Sequence, residues 1–237
     1  MGLFSRKKKS QGNIHMRGFP GHVDTCKCLY LAAEKGVPLD TDLLDLTGHE
    51  QEAAAFRALS PFGKIPCIGD GDLVISGAAA ILPYIDVKGT GQSLTPRKAA
   101  RLGEQNYWIE VGQQQVMPHV NTLLDEHLLK PMSDPGYTPN QEKIDTAISE
   151  IDQAFVFADK QLDGKDYFAG DFTFADIHWV PYLHFCAITG HGDMLEKHPH
   201  LKRWFDRIKS RKNGSRSTYD VLPSLDQIKG KELKYVA

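Results

Sequence analysis

Apolar and polar positions follow two rhythms along the chain, and the change falls near residue 89. Before it, short β-like runs alternate with helical ones. Residues 14–17 read as a strand, closed by the turn signals Gly18, Pro20 and Gly21. Residues 24–35 read as a helix whose apolar face is Cys28, Leu29, Leu31, Ala32 and Ala33, with Gly36 as its stop. Residues 38–44 form a second strand, and 51–59 a short Ala-rich helix. Residues 65–68 and 73–75 form two strands joined by a turn at 69–72, sequence GDGD. A helix over 77–87 closes the segment. The order β-α-β-α-β-β-α predicts a small α/β sheet with helices on its faces.

Residues 89–96, GTGQSLTP, read as a linker, and the rest reads as helix to about residue 212. The segments are 97–129, 139–162, 173–189 and 199–210, with a proline-rich break at 130–139 between the first two. An all-helical bundle is expected after the α/β domain. The division is a tail at 1–12, an α/β domain at 13–88, a linker at 89–96, a helical domain at 97–212, and a Lys-rich tail at 213–237. Val221 and Leu222 are the apolar anchors by which the last segment docks on the body.

Composition removes several classes. The 237 residues carry a net charge of −2, so no basic field calls for nucleic acid. The four cysteines form no CxxC, a reduced, cytoplasmic pattern. The longest apolar run is about half of the ~20 residues a membrane span needs, and no apolar stretch near Met1 reads as a secretory signal. Arg6, Lys7, Lys8 and Lys9 make a short basic block, read as a solvated tail or as a contact for a partner or membrane surface. A myristoylation signal would need Ser or Thr where Arg6 stands.

Two motifs resemble the glutathione transferase superfamily, in the pattern of its phi-like branch. The first is Ser60-Pro61-Phe62-Gly63-Lys64-Ile65-Pro66 followed by Asp70-Gly71-Asp72-Leu73. The resemblance implies that Pro66 is cis and that Ile65 offers its backbone to the tripeptide as an added strand would. The second is Ala169-Gly170-Asp171-Phe172-Thr173-Phe174-Ala175-Asp176-Ile177. Here Thr173 and Asp176 are spaced as a reciprocal capping box, with Phe172 and Ile177 placed as a staple. With Leu123–Met132, LLDEHLLKPM, the likeness extends over roughly 13–212. It implies a thioredoxin-like N-terminal domain followed by a helical bundle, a homodimer, glutathione as co-substrate and a small-molecule electrophile as partner.

The chemistry such a site needs is an anchor for the γ-glutamyl end and a donor that stabilises the thiolate. The family's Glu/Asp-Ser anchor falls on Gly77 and Ala78, so both anchoring side chains are missing. Bonds to charged groups are worth roughly 1.5–3 kcal/mol each, so two such losses weaken binding about 10²–10⁴-fold. Ser76, the helix N-terminus, Lys64 and His49 are the remaining contacts. Aligning back from Glu34-Lys35-Gly36 puts His22 in the donor's place, with Thr25 and a low-pKa Cys26 as further candidates. The bland alternatives are a solvent-facing His22, a helix cap at Asp24 or Thr25, and cysteines, Cys67 included, packed in the core. The substrate pocket is expected on the first long helix at Tyr107, Trp108, Val111 and Gln115, against the alternative that this aromatic stripe is core. His178 and His184 are six apart and do not share a face, so no metal is expected.

Two functions remain open: a glutathione-dependent enzyme, and a binding or regulatory protein on this fold that has given up the chemistry. A thiol–disulfide protein using Cys26 is a third, opposed by the missing CxxC.

Overall fold

The computed structural model describes residues 13–230; the basic block at 6–9 and the end of the last segment lie outside them. The chain divides into two compact units, one made of 13–91 with 212–230, the other of Gln92–Arg211.

The first unit is thioredoxin-like. Its strands are β1 (Ile14–Gly18), β2 (Leu39–Leu43), β3 (Cys67–Asp70) and β4 (Leu73–Ser76), ordered β2-β1-β3-β4, with β1–β2 parallel and the other pairs antiparallel. β1 alternates, burying Ile14 and Met16 and leaving His15 and Arg17 partly exposed. Those two polar residues lie opposite Asp40 and Asp42 in register, with Nδ1–O and Nε–O distances of 3.2 and 3.9 Å. The hydrophobic rhythm thus fixes the face, and the charge pairs agree with the register.

Helix α1 (Val23–Lys35) is almost wholly buried and stops at Gly36, which is left-handed and returns its N–H to Ala32 and Ala33. The expected helix over 51–59 is instead a 3₁₀ turn, Glu50–Glu52, and one α-turn, α2 (Ala54–Arg57). Extended backbone at Ala53 separates them. Strand β3 begins two residues later than expected, because Pro66 has no N–H for the ladder. Helix α3 (Ala78–Lys88) packs on α1, and a buried ion pair joins Lys35 to Asp86 at 2.9 Å.

The second unit opens with a helical run expected to end at Leu129. It continues to Ser133 through α4 (Ala99–Val111), α5 (Met117–Leu124) and α6 (Lys130–Ser133), joined by π-helical turns at Gly112–Val116 and Asp125–Leu129. Pro118 and Pro131 each follow a π turn. The wider turn leaves room for the ring and needs one donor fewer, so the prolines do not break the run. Helices α7 (Gln141–Gln161), α8 (Phe174–Cys186) and α9 (Pro199–Lys209) complete the bundle.

Every residue of α8 is buried. Thr173 Oγ1 accepts the N–H of Ala175 at 3.3 Å, and Asp176 accepts that of Thr173 at 2.9 Å, so the capping box is formed. Phe172 lies against Tyr167, with the Arg211 guanidinium 3.6 Å from its ring centroid.

The last segment returns to the first unit. Residues Lys212–Asn213 (β5) and Arg216–Ser217 (β6) pair as a hairpin. Asn213 Nδ2 donates to the Ala33 carbonyl at 2.9 Å, and Thr218 Oγ1 to Glu34 Oε1 at 2.6 Å. Leu222 and Ile228 are the buried apolar anchors, while Val221 is half-buried.

Candidate functional site

The first unit gathers its chemistry where β1 ends, α1 begins and the Ile65–Pro66 bond turns the chain. That bond is cis. Thr25 is 1% exposed and lies hard against the end of β1: a Cβ on Gly18 would meet its Oγ1 at 2.8 Å and Pro66 Cβ at 3.3 Å. Glycine at 18 therefore permits the close approach of β1, α1 and the proline.

His22 is the N-cap residue of α1, extended at φ −111° and ψ 128°, and it makes no side-chain cap. Its N–H donates to the Phe19 carbonyl at 3.0 Å, closing the turn that aims the ring, and its own carbonyl takes the N–H of Cys26 at 3.1 Å. Nδ1 is buried without a hydrogen-bond partner, whereas the ring as a whole is half-buried and Nε2 keeps contact with solvent. Burial pushes the imidazole pKa down; Asp24 opposes this, and Lys27 and Lys64 add to it. The ring is therefore held neutral. With no acceptor for an Nδ1–H, the Nε2–H tautomer fits the site best.

Thr25 and Cys26, both candidate donors, turn inward. The Thr25 hydroxyl is buried with no hydrogen-bond partner. It packs against Gly18 and is closed off from solvent. Cys26 is fully buried and donates to the Pro20 carbonyl at 3.2 Å, and burial pushes its thiol far up. That environment stabilises a thiol, so the low-pKa reading of Cys26 is corrected. Cys67 is also buried in the sheet.

Ile65 is 8% exposed, and among the described residues no hydrogen bond reaches its N–H or carbonyl. The adjoining loop is held by Ser60 Oγ, which donates to the Lys64 carbonyl at 2.9 Å, and by Arg57, which donates to that of Pro61 at 3.0 Å. The Pro66 carbonyl takes the N–H of Gly77 at 2.9 Å, which brings the α3 N-terminus beside the cis bond. Gly77 caps α3 at φ 85°, and a Cβ there would meet nothing within 4 Å; no side chain caps the helix. Ser76 ends β4 opposite Cys67, and Ala78 opens the helix. His49 lies apart, largely exposed, with Nδ1 3.7 Å from Glu52.

In the helical unit the pocket candidates separate. Trp108 is core: it is 5% exposed, packs against both Phe168 and Trp179, and its carbonyl takes the Trp179 indole N–H at 2.8 Å. It is corrected from pocket to packing. Tyr107 and Gln115 are exposed, and Val111 is half-buried.

Two features escaped the sequence reading. Lys27 is fully buried, 2.8 Å from Asp24 in the first turn of α1, a pair that i,i+3 spacing signals. A cavity of about 150 Å³ opens beside the turn, lined by Phe19, Pro20, Leu43, Leu44, Asp45 and Glu50.

A thioredoxin-like unit with a cis-proline corner and an all-helical unit define a class, and the comparisons with known proteins agree with it. The glutathione S-transferase N-terminal domain matches residues 25–88, and the C-terminal domain matches residues 115–212. Glutathione S-transferase 1 of Triticum aestivum is 28% identical over 206 residues, covering 84% of this chain and 90% of its own. Glutathione S-transferase 1 of Zea mays is 25% identical, covering 78% and 86%. The structure of glutathione S-transferase III in apo form superposes with a TM-score of 0.77 at 27% identity, covering 89% of this chain and 97% of that one. The chain belongs to the glutathione transferase superfamily.

Proposed function

We propose that the protein is a glutathione-dependent transferase in which His22 is the thiolate-stabilising donor. The observation that carries this reading is the His22 imidazole: neutral, unpartnered, and at the N-terminus of α1 beside the cis-proline corner. The open N–H and carbonyl of Ile65 take the tripeptide backbone. Lys64, close enough to bias His22, takes the glycyl carboxylate. The γ-glutamyl carboxylate rests on the N-terminal N–H groups of α3, with Ser76 alongside.

Because His22 is disfavoured as imidazolium, it acts by donation from Nε2–H to sulfur. The thiol proton leaves to solvent. The thiolate then forms a carbon–sulfur bond with a small electrophile, and the leaving group departs with its bonding electrons or the adduct takes a proton from water. The working form is a homodimer.

Gly77 and Ala78 favour a second reading, a binding protein on this fold that has lost the chemistry. Neither offers a side chain to the γ-glutamyl end, and the space beside Gly77 is open. Calorimetric titration of the whole protein with glutathione separates the two. Binding at or below about millimolar, abolished by Ile65→Pro, supports the enzyme. No binding in the wild type, with binding gained in Ala78→Ser, supports the second reading. Ala78→Ser is a cleaner restoration than Gly77→Glu, because a side chain at φ 85° costs about 1–3 kcal/mol.

A further inference from the structure

Within the helical unit, two histidines that the proposed chemistry does not use face each other. Nε2 of His127 lies 3.1 Å from Nε2 of His191, with ring centroids 5.2 Å apart and planes inclined at 52°. His127 belongs to the π-helical turn Asp125–Leu129 in the long first run, and His191 follows the kink at Gly190 that ends the extension of α8. Both rings are half-buried and so open to solvent. The left-handed Gly190, at φ 92°, turns the chain so that the ring of His191 meets that of His127.

Two nitrogens at this distance share either a proton or a metal ion. One proton suffices when one ring is the Nε2–H tautomer and the other offers its lone pair. The same spacing suits a cation. With Zn–N bonds of about 2.0–2.1 Å, two imidazoles subtending roughly 90–109° at the ion stand about 2.9–3.4 Å apart. Metal binding takes the neutral imidazole, and Glu126 precedes His127 in the chain. Glu126 itself is engaged by Lys130, by Tyr137 and by the Asn140 N–H at 2.9 Å. It holds its segment in place and is not a ligand.

We propose that His127 and His191 form a two-imidazole site for a borderline divalent transition ion, Zn²⁺, Ni²⁺ or Cu²⁺. Among the described residues no group of three His, Cys, Asp or Glu forms around it. Water therefore completes the coordination, and binding is weaker than at a closed three- or four-ligand site. Bound metal staples the long first run to the extension of α8 and stabilises the folded unit by linkage.

The test uses the full chain without a histidine tag, titrated calorimetrically with ZnCl₂ and with CuCl₂, beside His127→Gln and His191→Gln. The expected result is one saturable equivalent, weakened at least tenfold in each variant, with a zinc-dependent rise in melting temperature in the wild type alone. Electron paramagnetic resonance of the copper form should show two nitrogen ligands. Equal binding in wild type and variants, or no saturable binding, overturns the proposal. Should a variant not fold, modification of the wild type with diethyl pyrocarbonate decides: zinc must protect both His127 and His191, and labelling of either one that zinc leaves unchanged overturns the site.

Discussion

Asp176 Oδ1 accepts the indole N–H of Trp204 at 2.8 Å, and through that bond the first turn of α8 is tied to α9. The same carboxylate takes the Thr173 N–H at 2.9 Å and the Phe168 N–H at 3.2 Å. Burial outweighs these bonds and pushes the Asp176 pKa up to about 6 from 3.8. The folded state therefore holds a proton that the unfolded state has released between these values. Its stability contribution is complete below about pH 4 and falls as pH rises toward 6, by about 3 kcal/mol at 1.36 kcal/mol per unit. Denaturant unfolding of wild type and Asp176→Asn across pH 4–7 checks this: the difference between the two should slope in that direction, and a flat difference would refute it.

Glu126 has the opposite sign. Its hydrogen bonds from the Asn140 N–H, Lys130 and Tyr137 depress its pKa to about 2 from 4.5. That contribution is present above pH 4.5 and is lost as pH falls toward 2. Denaturant unfolding of wild type and Glu126→Gln across pH 2–6 checks this: wild type should be the more stable above pH 4.5, the difference should shrink as pH falls toward 2, and a constant difference would refute it.

Gly18 and Thr25 should show non-additive energetics. A methyl at residue 18 meets Thr25 Oγ1 and Cγ2 at 2.8 and 2.9 Å, so Gly18→Ala is expected to cost about 1–3 kcal/mol. Thr25→Ala removes both clashing atoms, and the double variant should recover much of the loss in a double-mutant cycle. Additive losses would mean that the two residues do not press on one another.

The Lys35–Asp86 pair, 2.9 Å apart and 4% exposed on each side, couples α1 to α3. Asp86→Ala removes the carboxylate from a buried ammonium and should cost about 3–5 kcal/mol, while Lys35→Met with Asp86→Leu should be near neutral. Urea midpoints measure both. A double variant as unstable as the single one would show that the charges contribute more than their shape.

His22→Ala should lower kcat/KM about 10²-fold, the scale of losing one donor to a developing anion. It should also raise the pKa of bound glutathione, read from thiolate absorbance against pH. A rate and a thiol pKa that both stay unchanged would remove His22 from the chemistry.

What the sequence disclosed was set by the range of the interactions. The stop at Gly36 and the capping box at Thr173 and Asp176 act within four residues, so spacing alone reveals them. Pro131 misled, because a π turn upstream absorbs the ring and spacing carries no trace of it. The burial of Thr25 accompanies the close approach of Gly18 to Pro66, which is distant in sequence. Trp108 looks like a pocket wall on its own helix, and the packing of its ring on Phe168 and Trp179, 60 and 71 residues on, makes it core.

The return of residues 212–230 to α1 has a consequence for biosynthesis. The thioredoxin-like unit is assembled from both ends of the described chain, so the groups on Asn213 and Thr218 that donate to the end of α1 are translated after the helical unit. During synthesis the helical unit can complete itself while its predecessor still lacks a wall. The earlier-made half is completed only after the helical unit has been translated, against the usual N-terminal-first order of domain folding.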